Sequence, residues 1–151
     1  MLTKELKKQK TGHSEISHAG RLAYYIANIL MPASPSGFTL NPMTLQTPVL
    51  NKYKAANTYF VSLKGYEQQF QQQPVFAEVS EWVNKYNRLL HSPGYYIGGW
   101  LDAGIYYLDL SVAIRGRAKA LRIAHVNEQR AIFHPSSDKT IYVPNKLPIV
   151  A

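Results

Sequence analysis

Few side chains in this sequence have a type and setting that could do chemistry, and Asp109 is the first of them. In the run Ile105-Tyr106-Tyr107-Leu108-Asp109-Leu110-Ser111, strand alternation puts Tyr106, Leu108 and Leu110 on one face and Asp109 with Ile105, Tyr107 and Ser111 on the other. A carboxylate inside so apolar a strand needs a partner. It is either an acid, base or metal ligand, or a structural acceptor for main-chain N–H groups or an arginine. With no second carboxylate positioned beside it, the structural role is the stronger reading. The five histidines offer one further pair, His125 and His134, which could meet across a helix-to-strand turn as the acid and base of a small metal-independent nuclease. His13 and His18, five residues apart, do not share a helix face, so they make no metal site. Cysteine is absent, which removes disulfides, thiolate nucleophiles and Cys-ligated zinc. No cofactor or metal is expected.

Gly98-Gly99 lacks the spacing of a phosphate-binding loop, and glycines inside a strand more often mark a bulge or a close approach by another side chain. Trp100, Tyr95, Tyr96, Tyr106 and Tyr107 are of the type that stacks bases on the sheets of RNA-binding modules, but the signature of those modules is missing, so most of these rings are assigned to the core.

Charge gives the most positive signal. The 17 Lys and Arg against 9 Asp and Glu leave a formal +8, a balance that favours phosphate backbones, anionic surfaces or acidic protein patches. Arg115, Arg117, Lys119, Arg122, Arg130, Lys139 and Lys146 are opposed between residues 115 and 146 only by Glu128 and Asp138. On a helix read from about Arg115 to Glu128, Arg115, Lys119 and Arg122 fall within about 60° of one another, opposite Ala120, Leu121, Ile123 and Ala124. These cations form the expected partner-binding stripe, with Arg117 and Arg130 beside it.

The elements that must position these residues read as one α+β domain over residues 13–151, after a Lys-rich tail at 1–12. A first helix starts at an N-capping Ser14 and carries Ile16, Ala19, Ala23, Ile26 and Leu30 at helical spacing. Residues 31–57, with Pro32, Pro35, Pro42 and Pro48, read as an irregular surface segment anchored by Phe38, Leu40, Val49 and Leu50. Thr58–Leu63 reads as a strand, Gln68–Gln73 as a solvated linker, and Val79–Leu90 as a helix preceded by Pro74. Tyr95–Trp100 and Ile105–Leu110 form a hairpin around Asp102-Ala103-Gly104. The cationic helix follows, then strands at 130–133 and 140–143 joined by Pro135–Asp138. From Thr58 onward this order is the split β-α-β of ferredoxin-like domains: a sheet of four to five strands with two helices on one face, burying Trp82, Tyr86, Leu108, Leu110, Leu121 and Ile132 together. The first helix is extra to that plan, free to cover the open face or meet a partner.

Five short runs, taken in order, resemble a family of small uncharacterised proteins of bacteriophages and other mobile elements, also found as a module in large phage polyvalent proteins. They are Gly37-Phe38-Thr39-Leu40-Asn41-Pro42, Tyr59-Phe60-Val61-Ser62, Gly98-Gly99-Trp100, Tyr107-Leu108-Asp109-Leu110-Ser111 and Asn127-Glu128-Gln129-Arg130-Ala131-Ile132-Phe133. The resemblance spans roughly residues 37–143. It departs at Leu45, where a glycine is expected, and at His134, where an aspartate is expected. It implies phage origin and a counter-defence or virion-associated role, without a mechanism.

The expectation is therefore an accessory binding protein without catalysis, whose stripe meets nucleic acid or an acidic protein surface such as a host defence complex. A virion structural protein of capsid, neck or tail is the alternative, and the His125–His134 nuclease the second. No run of about 18 apolar residues could span a bilayer and no apolar core follows the basic N-terminus, so the expected location is host cytoplasm or virion.

Overall fold

In a computed structural model, residues 18–34, 37–47 and 56–145 are described; the expected tail, the Ser14 cap, Val49, Leu50 and Lys146 lie outside them. Among the described residues, seven strands form one antiparallel sheet: β1 (Gly37–Leu40), β2 (Thr58–Ser62), β3 (Gln68–Phe70), β4 (Tyr95–Asp102), β5 (Ile105–Arg115), β6 (Ala131–His134) and β7 (Lys139–Tyr142), in the order β1-β4-β5-β2-β6-β7 with β3 beside β5 off this path. The long β5 is the hub. Along one edge it pairs with all of β4, and along the other it meets β2 over its second half and β3 over its first. The β4–β5 hairpin turns on Ala103 and Gly104, both at positive φ (50° and 80°), as a two-residue turn between twisted strands requires.

Seven strands exceed the four or five expected, and the additions come from two stretches read as unstructured. β1 lies in the proline-rich segment, where Leu40 is buried completely. β3 lies in the glutamine run: Phe70 is buried and the glutamines flanking it are exposed, which is how a short polar-looking stretch gains a place on a sheet.

The helices are α1 (His18–Tyr25), continued by a π-helical turn Ile26–Leu30 into the short α2 (Met31–Ala33), then α3 (Phe76–Lys85), α4 (Asn87–Leu90) and α5 (Arg117–Val126). Ala19, Leu22, Ala23, Ile26, Ala27 and Leu30 make the buried stripe of the first run. Its wide turn, closed by the Met31 N–H on the Ile26 carbonyl, arrives just where Pro32 has no N–H to give. The expected helix at 79–90 is broken at Tyr86 (φ −110°, ψ 17°) into α3 and α4. At the start of α3, Glu78 Oε1 accepts from the Val75 N–H at 3.1 Å.

The core is divided in two, not single as expected. One cluster holds α1, α3 and α4 (Leu22, Ile26, Val79, Trp82, Leu90) over Leu40, Phe70, Ile97, Leu108 and Leu110. The other holds α5 (Ala120, Leu121, Ala124) over Tyr59, Val61 and Ile132. Register places both clusters on the same face of the sheet. The first helix thus lies beside α3 on the helical face. It does not cover the other.

Candidate functional site

The cationic residues come from the end of one strand and the helix after it. β5 runs to Arg115, Gly116 turns the chain at φ 99° with its N–H on the Asn57 carbonyl (2.8 Å), and α5 begins at Arg117. Arg115 therefore sits on a strand and not on the helical stripe, a correction to the expected geometry. Alternation from Leu110, Val112 and Ile114 gives it to the sheet face away from α5. On α5, Ala120, Leu121 and Ala124 face the core, while Arg117, Lys119 and Arg122 are exposed. Arg130, between α5 and β6, and Lys139, on the edge strand β7, are exposed as well. The ion pair found among the described residues joins Lys64 to Glu128 (2.7 Å), so none of these cations has a carboxylate partner there.

The first turn of α5 has no acidic residue, and Gly116 supplies no side-chain cap. Arg117 and Lys119 instead occupy the first and third helical positions, against the positive end of the helix dipole, where a carboxylate would be favoured by about 0.3–1 kcal/mol. Local stability does not explain that choice. An anion at this end would meet two cations and the unpaired N–H groups of the first turn together.

Asp109 lies elsewhere, on the face of the sheet away from both helical clusters. Opposite it in register is Gly98, and a methyl group there would overlap its Oδ1. Burial pushes the carboxyl up from 3.8 to about 6; the Ser62 hydroxyl opposes the rise, the charge of Glu67 adds to it, and the Trp100 side chain and Gly98 main chain oppose it. Trp100 stacks on Tyr107 at 4.2 Å between ring centroids and 14° between planes, two positions along the hairpin. Gly99 is glycine for the mirror-image reason: a Cβ would strike the Phe38 ring on the helical face. The glycine pair thus marks close packing on both faces, with β4 unbroken in register. Tyr95 and Tyr106 pack against the core, as expected, whereas Trp100 is 39% exposed.

The runs that carry the family resemblance meet here. Phe38 covers Gly99, Asp109 covers Gly98, and Ser62 and Trp100 reach Asp109, so four of the five runs interlock across β1, β4, β5 and β2. In the fifth, the Asn127 side chain accepts from the Lys64 N–H at 3.0 Å.

The histidines have other occupations. His134 presents Nε2 to the Ala56 carbonyl at 2.7 Å and Nδ1 to Ser137 Oγ, and stacks on Tyr59 at 4.8 Å. The carbonyl can only accept, so Nε2 carries a proton. His125 is exposed on α5, and no described contact joins it to His134. A pair missed in the sequence is His18 with His91, edge to face at 5.8 Å. His18 Nε2 donates to the Pro42 carbonyl and His91 Nδ1 to that of Asn87 at 2.8 Å, which ties both rings to main chain. No group of three or more metal-ligating side chains occurs among the described residues. Nor, among them, is any helix long and apolar enough to cross a membrane.

Comparison with family models, with curated proteins and with solved structures finds no match.

Proposed function

We propose that this protein binds nucleic acid through α5 and acts by occupying it, without catalysis. The observation that carries this reading is the set of exposed cations Arg117, Lys119, Arg122 and Arg130, without carboxylate partners among the described residues and loaded toward the electropositive end of the helix. Phosphate contacts of this kind position a chain on a backbone without reading its sequence. Arg115, at the end of β5, extends the basic surface around the edge of the sheet.

The reading includes an origin and a fold family. The five sequence runs carry the proposed membership of the phage and mobile-element family, within which occupation of nucleic acid suits a counter-defence role in the host cytoplasm. The order β4-β5-β2-β6, with α3 preceding β4 and α5 preceding β6 on one face, supports a ferredoxin-like centre extended by β1, β3 and β7.

The test is the salt dependence of binding to labelled DNA and RNA. Four phosphate contacts give a log-log slope of about −3 to −4, and the Arg117→Ala, Arg122→Ala double variant reduces it by about 2. Intact nucleic acid is expected throughout. Shortened product that disappears with His125→Ala would replace this reading with the nuclease, and retention by an acidic protein alone would move the partner to a protein surface.

A further inference from the structure

On the sheet face away from the helices, one aromatic ring is fixed in place and left open. Trp100 is 39% exposed. One face of its indole lies on Tyr107, at 4.2 Å between centroids and 14° between planes. The indole N–H, the one polar group of the side chain, stabilises the charged form of Asp109. Across the other neighbouring strand the register partner of Trp100 is Gly37, which has no side chain to lay against the ring. Stacking and hydrogen bonding thus orient the indole before any ligand arrives.

Its surroundings are acidic, on a chain of formal charge +8. Asp102 is exposed two residues along β4 on the same face. Asp109 meets the indole N–H, and the charge of Glu67 is felt there as well. β1, β3 and β4 hold no lysine or arginine, and β5 holds only Arg115, at the far end of the strand, about 33 Å from Ile105 at 3.3 Å per residue. The face of an indole is itself electronegative, and a carboxylate on its N–H polarises the ring further in that sense. Such a setting attracts a cation and repels phosphate. The cleft that Trp100 borders with Met31, Phe38 and Tyr106 is too small to hold a ligand. The cation that fits is therefore a side chain presented by another surface, and guanidinium, planar and weakly hydrated, is the one that stacks on aromatic faces.

We propose that Trp100, flanked by Asp102 and Asp109, is the docking point for an arginine side chain of a protein partner. Two copies of this chain, each at +8, repel one another, so the arginine belongs to a different protein. The site lies on the opposite face of the sheet from α5, and it does not rest on the reading of α5 as a nucleic-acid-binding helix.

The experiment is an NMR titration of the ¹⁵N-labelled full chain with the peptide acetyl-Gly-Arg-Gly-Arg-Gly-amide, and with the same peptide carrying citrulline for arginine, which keeps the shape and loses the charge. The chain has two tryptophans. The indole N–H of Trp82, buried and bonded to the Tyr66 carbonyl at 2.8 Å, is the internal reference. The Trp100 indole signal is expected to shift and saturate with a Kd of about 1 mM while that of Trp82 stays still, and the citrulline peptide should move neither. Asp102→Asn should weaken binding about 3-fold. Trp100→Leu should abolish the saturable shifts of the Asp102 and Tyr107 amides and leave nucleic-acid binding unchanged, with circular dichroism checking that each variant keeps its fold. An equal response to the citrulline peptide, saturable binding that survives Trp100→Leu, or no shift at about 10 mM arginine peptide overturns the arginine seat. Signal broadening that grows with protein concentration without peptide, and is lost in Trp100→Leu, overturns the assignment to a different protein and gives the site to a second copy.

Discussion

Asp109 is ionised at neutral pH at a cost to the fold. With its carboxyl at about 6 in the folded protein against an ordinary 3.8, the folded state holds the proton more tightly than the unfolded chain. Its contribution to stability is therefore fully present below 3.8 and is lost as pH rises through about 6, a loss of about 3 kcal/mol. The neutral, near-isosteric Asp109→Asn does not titrate. Unfolding free energies from urea titrations should shift in favour of the variant by up to that amount between pH 4 and pH 7; parallel pH dependence for the two proteins would contradict the assignment. Leu45 makes a second test at this scale. It sits at φ 57°, a conformation that costs a side-chain-bearing residue about 1–2 kcal/mol, while its side chain packs against the larger core cluster. Leu45→Ala keeps the strain and loses the packing, and Leu45→Gly loses both. Gly should thus be the more stable of the two by about 1 kcal/mol, the reverse of the order in regular structure, as thermal or urea unfolding would show. The resemblance expects a glycine at this position, and Leu45→Gly is the substitution that relieves the positive φ.

At the scale of the element, α5 trades local stability for its charge. Lys119→Glu places a carboxylate at the third position of the helix, where it gains about 0.3–1 kcal/mol from the dipole, and reverses one cation of the proposed interface. The variant should melt slightly higher and bind nucleic acid more weakly. A lower melting temperature, or unchanged binding, would count against the reading. The helix itself was legible in the sequence, because Ala120, Leu121 and Ala124 recur at its spacing. Its start was not, since Arg115 and Gly116 fit the helical pattern equally well and only the pairing of Arg115 with Thr58 assigns it to β5. β1 and β3 escaped for a related reason: three or four residues carry too few buried positions for a period to show, and pairing partners far along the chain decide their state.

Across the whole molecule, what could be read was the order of the longer elements, the hairpin and the two-faced character of β5, all of which follow from local alternation. What could not be read was how the helices share the sheet. The division of the core into two clusters, and the place of the first helix beside α3, depend on contacts between residues such as Leu22, Val79 and Leu110 that are far apart in sequence. The candidate site was legible to the same degree: the cations were found from composition and spacing, and Asp109 from strand alternation. The exposure of Tyr142 was not, because it depends on β7 lying at the edge of the sheet, paired with β6 alone. Net charge of +8 acts at this scale too, drawing polyanions toward the surface before any specific contact forms.

The central claim, that α5 is a nucleic-acid-binding helix, is tested most directly by measuring the affinity of the wild type and of the Arg117→Ala, Lys119→Ala, Arg122→Ala variant for one labelled oligonucleotide at about 50 and 200 mM salt. The wild type should lose roughly 50- to 150-fold in affinity between these conditions, and the variant should bind little even at the lower salt. Wild-type affinity that ignores salt, or a variant of intact fold that binds as tightly as the wild type, would contradict it.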